Sequence, residues 1–300
     1  MVPCQQSFWK GTTFGRSTPS HTRGRLISPS TSSKRRQGST PTMAHRPVIV
    51  SFDVDGTLVR SIGDDANKLH KEAFSEAFRQ VFGLDTTIDV IEHHGSTDGL
   101  ILVRVVEFHG IDKEDAMQKL PDMQQVMIDY FEQHKDRAAI GLEVLPGVER
   151  LLKELQKLDH VYVGLCTGNL EPIAWSKMEA LGLKGLFTSP NFGGFGSDYC
   201  SGASDPTQSY KDRAELVKTA ATRASSIANI DVQSMRRFHV GDAPMDVQAA
   251  VTAGSSAIGL LTGIFSRDDL QTCCSTEDDV IILPSLEDTD HVLDILLGSL

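Results

Sequence analysis

Val48–Val59 reads VIVSFDVDGTLV: an apolar run that ends in two aspartates and a turn. In an extended segment residues i and i+2 face the same way, so Asp53 and Asp55 project together from the end of a buried strand. Two like charges this close push one pKa up unless a cation lies between them, which makes such a pair a metal site or an acid/base pair. Gly56 and Thr57 supply the turn that leaves the strand. An ordinary strand followed by an Asp-Gly turn has the same local pattern, so segments elsewhere in the chain must discriminate.

Three further segments also sit where an apolar run stops. Val161–Cys166 is followed by Thr167, Gly168 and Asn169, a hydroxyl and backbone donors suited to a phosphate oxygen, although a strand-to-helix turn with a capping residue looks alike. Tyr210–Val217 opens a helical pattern carrying Lys211 and Arg213, either of which could neutralise phosphate charge. Phe238–Asp246, FHVGDAPMD, ends a short strand-like run with Asp242 and adds Asp246 one helical turn later, so the two could share a metal. Asp242 is also a plausible helix N-cap ahead of Pro244.

In this order the four segments resemble the signature of the haloacid dehalogenase superfamily, over about residues 48 to 286. The resemblance implies an α/β, Rossmann-like parallel-sheet core with an inserted all-helical cap. It implies Asp53 as the nucleophile that becomes an aspartyl-phosphate, and Asp55 as the acid that protonates the leaving alcohol and then activates water. Thr167 and the Gly168 amide would hold phosphoryl oxygens, with Asn169 beside them. Asp242, the Asp53 carboxylate and the Asp55 main-chain carbonyl would bind Mg2+, supported by Asp246. Lys211 falls where many relatives place a lysine and is the expected phosphate-binding cation; Arg213 matches a subgroup that reads Asp-Arg.

This assignment is chemically coherent. A carboxylate attacks an anionic phosphate only after the charge on the phosphate is masked. Magnesium takes hard oxygen ligands and keeps several waters, so a few carboxylates suffice. Asp55 must give a proton and take one back, and a raised pKa in an acidic cluster is expected to serve it. Relatives that cleave carbon–halogen bonds lack an acid two residues after the nucleophile and ion-pumping ATPases carry threonine there; the aspartate at position 55 leaves phosphate ester or mutase chemistry. The expected activity is a phosphatase for a small phosphorylated metabolite, phosphoglycolate or a sugar phosphate. The alternatives are a phosphosugar mutase of the beta-phosphoglucomutase kind and a non-catalytic binding module.

Between residues 61 and 144 apolar residues such as Leu69, Ala73, Ala77 and Val81 recur at helical spacing, which predicts the helical cap. Gly95–Asp98 resembles the Gly-x-Thr-Asp segment of phosphoglycolate-phosphatase-like caps. Thr97 is read as a substrate contact or, more plainly, a helix N-cap, and His93 and His94 as candidate contacts. The core is assigned to 47–60 and 145–300, re-entered at the helix opened by Pro146 and Gly147. Strands are predicted at about 48–53, 161–166, 186–188, 237–241, 256–261 and 280–283, in a parallel sheet covered on both faces. The Gly/Ser-rich stretch 191–206 reads as a mobile surface loop.

Residues 1–46 hold eight Lys or Arg and no Asp or Glu, with no long apolar run. That composition predicts a disordered basic extension, either an organellar transit peptide directing the chain to chloroplast or mitochondrion, or a segment upstream of a true start at Met43 in a cytoplasmic protein. Without those eight basic residues, 21 basic face 40 acidic residues and the net charge moves from −11 to near −19. Such acidity disfavours nucleic acid and anionic membranes as partners. Five cysteines without C-x-x-C spacing offer neither a zinc site nor a disulfide framework. Nothing in the sequence speaks to oligomeric state.

Overall fold

The computed structural model describes residues 46–273 and 280–298; apart from Arg46, the expectations for the basic amino-terminal stretch lie outside these residues. In chain order the elements are β1 (Val48–Phe52), β2 (Val59–Ser61), α1 (Lys68–Phe82), α2 (Asp98–Phe108), α3 (Lys113–Gln133), β3 (Leu142–Val144) and α4 (Val148–Gln156). There follow β4 (Val161–Thr167), α5 (Glu171–Ala180), β5 (Gly193–Phe195), α6 (Ser209–Ala228), β6 (Arg236–Gly241), α7 (Pro244–Thr252), β7 (Ser256–Leu260), α8 (Arg267–Thr272), β8 (Val280–Leu283) and α9 (Thr289–Leu297). Among the described residues, no helix is long and apolar enough to cross a membrane.

Six strands form one parallel sheet in the order β5-β4-β1-β6-β7-β8. All five residues of β1 are buried, as a strand covered on both faces requires. Val48, Val50 and Phe52 pack with Leu151, Leu155, Met178 and Leu296 on the side of α4, α5 and α9. Ile49 faces the other layer, with Ala221 and Ala224 of α6. Phe52 is in register with Leu165 of β4 and Val240 of β6, so the residues just beyond these three strands reach one edge together. The chain builds outward from β1 first to β4 and β5, then returns to place β6 on the opposite side; ligands bind open α/β sheets at such a reversal.

The edge strand is not where sequence patterning put it. Lys184–Leu186 is a 3-10 turn, so the strand expected at 186–188 is absent, and β5 lies inside the stretch 191–206 that reads as a mobile loop. Glycines explain the error. A Cβ on Gly194 would lie 1.9 Å from the Leu216 carbonyl oxygen and one on Gly193 would lie 2.6 Å from that of Leu165. The strand passes too close to α6 and β4 for side chains, and the residues that permit this are the ones depleted in strands generally.

β2 and β3 pair antiparallel, Val59 opposite Val144 and Ser61 opposite Leu142, and the helical insertion lies between them. Its helices α1, α2 and α3 enclose a separate apolar cluster that includes Phe74, Phe78, Leu102, Met123 and Phe131. Leu170 and Ile173, at the start of α5, join that cluster and seat the insertion on the core.

Candidate active site

The loops after β1, β4 and β6 meet at the carboxyl edge of the sheet, around a cavity of about 600 Å³ lined by Asp53, Asp55, Thr167, Gly168, Asn169, Arg213, Asp242 and Asp246. The insertion closes the opposite wall with His70, Phe74, His93 and His94 among others. Oxygens of Asp53, Asp242 and Asp246 all lie within 4.8 Å of one another, and all three residues are buried. Arg213 Nη2 donates to Asp53 Oδ1 at 2.8 Å and pairs also with Asp246 Oδ1. His239 Nε2 lies 3.4 Å from that Asp246 oxygen, and the Ala243 amide donates to Asp246 Oδ2 at 3.1 Å.

These placements split the carboxylates electrostatically. Burial pushes Asp53 up to about 6; Arg213 opposes this, while Asp246 and Asp55 add to it. Asp242 is driven well above the usual carboxylate range by burial and then by its neighbours Asp246 and Asp53. For Asp246, burial is also the largest influence, but Arg213 and His239 outweigh it and hold the group low. Asp55 behaves likewise: burial raises it, and Lys177, His70 and Asn169 together pull it below the usual range. The raised pKa expected for Asp55 therefore belongs to Asp53 and Asp242, because Asp55 alone has an ammonium on both its oxygens.

The donor set present here fits a hard divalent cation. Four carboxylates, Asp53, Asp55, Asp242 and Asp246, are matched by only two basic side chains in ion pairs with them, Arg213 and Lys177, beside the His239 ring on Asp246. The backbone closes tightly around Asp242: a Cβ on Gly56 (φ +93°) would sit 2.3 Å from its Oδ2, and one on Gly263 would sit 1.8 Å from it. Thr57 Oγ1 donates to its Oδ1 at 3.2 Å.

The two candidate cations separate cleanly. Lys211 is exposed, with its ammonium 5.9 Å from the Tyr210 ring centroid, and does not line the cavity. Arg213 is buried on Asp53 and lines the cavity, so of the two it is Arg213 that stands beside Asp53. Helical geometry is the reason: residues two apart on α6 point to opposite sides, and Arg213 shares a face with Leu216, Val217 and Ala220 whereas Lys211 shares one with Glu215 and Lys218. Thr97 is the N-cap of α2, accepting from the Leu100 amide at 3.3 Å, and does not line the cavity. The neighbouring residues matter more. Asp98 N donates to the Gly168 carbonyl at 2.8 Å, Asp98 Oδ2 accepts from Leu170 N at 2.9 Å, and His70 Nε2 lies 3.0 Å from that oxygen. A Cβ on Gly168 would meet Ser96 O at 2.5 Å, so only glycine lets the insertion sit this close.

Lys177 escapes a sequence reading, where a single lysine in a helix looks solvated. It is 1 % exposed and donates to Asp55 Oδ1 and Oδ2 at 3.0 and 2.9 Å and to Asn169 Oδ1 at 2.8 Å. The only hint was its spacing, four residues after Ile173 and three after Ala174 on the buried face of α5.

Known proteins resemble this chain over most of its length. The family model of haloacid dehalogenase-like hydrolases matches residues 48–254. The phosphoglycolate phosphatase of Pseudomonas savastanoi pv. phaseolicola is 29 % identical over 224 residues, covering 72 % of this chain and 70 % of its own. That of Rhodospirillum rubrum is 26 % identical over 222 residues, covering 74 % and 82 %. Among solved structures, a hydrolase from Pseudomonas syringae matches with a TM-score of 0.51 at 19 % identity over 84 % of this chain and 100 % of that one. A predicted phosphoglycolate phosphatase from Haemophilus somnus matches with a TM-score of 0.52 at 17 % identity over 83 % and 99 %; at these identities the likeness is one of fold. The chain belongs to the haloacid dehalogenase-like hydrolases and resembles their phosphoglycolate-phosphatase members.

Proposed function

We propose that the enzyme is a magnesium-dependent phosphatase of small phosphomonoesters, phosphoglycolate or a sugar phosphate, working through an aspartyl-phosphate on Asp53. One observation carries this reading: a buried carboxylate held 2.8 Å from a buried guanidinium, beside two further carboxylates, opens into a cavity shared by core and insertion.

Asp53, Asp242 and Asp246, with the Asp55 main-chain carbonyl, would hold the magnesium, whose chemistry is to neutralise phosphoryl charge and orient the ester. Arg213 draws a phosphoryl oxygen toward Asp53, and Thr167 and Gly168 bound the same pocket. In the first step an Asp53 oxygen attacks phosphorus, the bond from phosphorus to the ester oxygen breaks, and that oxygen takes the proton of the Asp55 carboxyl. A doubly negative phosphoryl group arriving beside Asp55 favours its protonated form, against the pull of Lys177. In the second step water gives a proton to the Asp55 carboxylate, its oxygen attacks phosphorus, and the bond to Asp53 breaks, releasing phosphate. The insertion shields both steps from bulk water.

The test is a panel of phosphomonoesters, phosphoglycolate and sugar phosphates included, with magnesium and with excess chelator. Inorganic phosphate release is expected to fall by about a hundredfold or more in chelator and to return when magnesium is added back. Equal rates in chelator contradict the metal assignment. Isomer interconversion without phosphate release points instead to the phosphosugar mutase.

A further inference from the structure

The reaction as described leaves one buried cation without a task. Lys177 offers three hydrogens and no acceptor, and its contacts with both Asp55 oxygens and with Asn169 Oδ1 account for all three. Since the ammonium only donates, the Asn169 atom facing it is the amide oxygen, and this fixes which way the amide points. Asn169 Nδ2 then faces the opposite way and donates to Asp55 Oδ2 at 2.9 Å and to Thr167 Oγ1 at 2.9 Å. The Asn169 main-chain amide donates to the same hydroxyl oxygen at 3.4 Å. Both lone pairs of that hydroxyl are thereby engaged, and what it has left to give is its own hydrogen. Thr167 lines the cavity, so the hydrogen is available to an oxygen arriving there.

We propose that Lys177 is a positioning residue of phosphoryl transfer: it aims the Asp55 carboxyl at the leaving oxygen and, through Asn169, turns the Thr167 hydroxyl into a donor for a phosphoryl oxygen. This rests on the roles given to Asp53 and Asp55 under the proposed function. The chain Lys177–Asn169–Thr167 sets a direction as well as a distance. Reversing any one link makes Thr167 an acceptor, which repels a phosphoryl oxygen. A lysine serving only to neutralise buried charge needs neither the contact with Asn169 nor this direction.

Two variants separate the alternatives. Lys177→Met is assayed with an alkyl phosphomonoester, whose departing alkoxide needs a proton, and with p-nitrophenyl phosphate, whose departing phenolate does not. The expected loss in kcat is about a hundredfold for the alkyl ester and about tenfold or less for the aryl ester. The ratio between the two substrates is read on one preparation, so a reduced folded fraction cancels from it. Asn169→Asp keeps an acceptor for Lys177 and removes the donor to Thr167; it is expected to weaken inhibition by inorganic phosphate about tenfold. Equal losses on both esters in Lys177→Met, or unchanged phosphate inhibition in Asn169→Asp, overturn the proposal. Asp53→Asn measured alongside reports on the underlying reading separately: activity surviving in that variant defeats the phosphatase mechanism itself, whatever Lys177 does.

Discussion

Asp53→Asn is expected to lower phosphate release by about ten-thousand-fold or more, with the fold intact. The substitution is nearly isosteric and keeps an oxygen for Arg213 at the position where Asp53 Oδ1 now lies 2.8 Å from it. It removes one negative charge from a buried cluster in which Asp246 and Asp55 already push Asp53 up. Stability should therefore be unchanged or slightly higher, while an amide nitrogen cannot form the acyl-phosphate bond. Loss of activity together with loss of the folded state would make the residue structural. Retained turnover in a folded variant would place the nucleophile elsewhere.

Arg213→Met is expected to be damaging on both counts. The guanidinium lies between Asp53 and Asp246 with all three side chains 8 % exposed or less. Removing one member of a buried charged set strands the others, a loss of about 3–5 kcal/mol. Activity should fall by about a thousandfold in kcat/KM, since the phosphoryl group loses the charge that draws it to Asp53. Lys211→Met is the natural control, because its side chain sits in solvent against Tyr210 and should leave both properties near those of the parent. Chemical denaturation and steady-state kinetics of the two variants decide the matter. If the Lys211 variant loses activity and the Arg213 variant keeps it, the assignment of the cation is reversed.

Both outcomes bear on why some of this site is visible in sequence and some is not. Thr167 closes a buried strand and Asp53, Asp55 and Asp242 follow one, and a short apolar run ended by a turn is a local pattern. Parallel register then brings the ends of β1, β4 and β6 to one edge whatever the lengths between them. Choosing between Lys211 and Arg213 needed one further local step: placing both on the helical face defined by Leu216, Val217 and Ala220, which selects Arg213. Lys177 is different in kind. Its spacing from Ile173 and Ala174 hints at a buried face, but its partner, the Asp55 loop more than a hundred residues earlier, leaves no short-range trace. The edge strand β5 failed for the opposite reason, since its glycines carry a strong local signal for loop that close packing against α6 overrides. Thr97 followed its plain reading as an N-cap, while Asp98 next to it, which also meets His70 of α1, makes the bonds that tie the insertion to the core.

The central claim is that the phosphoryl group rests covalently on Asp53 between two displacements. Acid quenching during turnover with a phosphomonoester and magnesium, followed by peptide mass spectrometry, is expected to find one phosphoryl group on the peptide that contains Asp53. Hydroxylamine should remove it, and the Asp55→Asn variant should alter how much accumulates. A phosphorylated histidine, serine or other residue elsewhere in the chain, or no phosphorylated peptide at any time in a preparation that is turning over, would contradict the account.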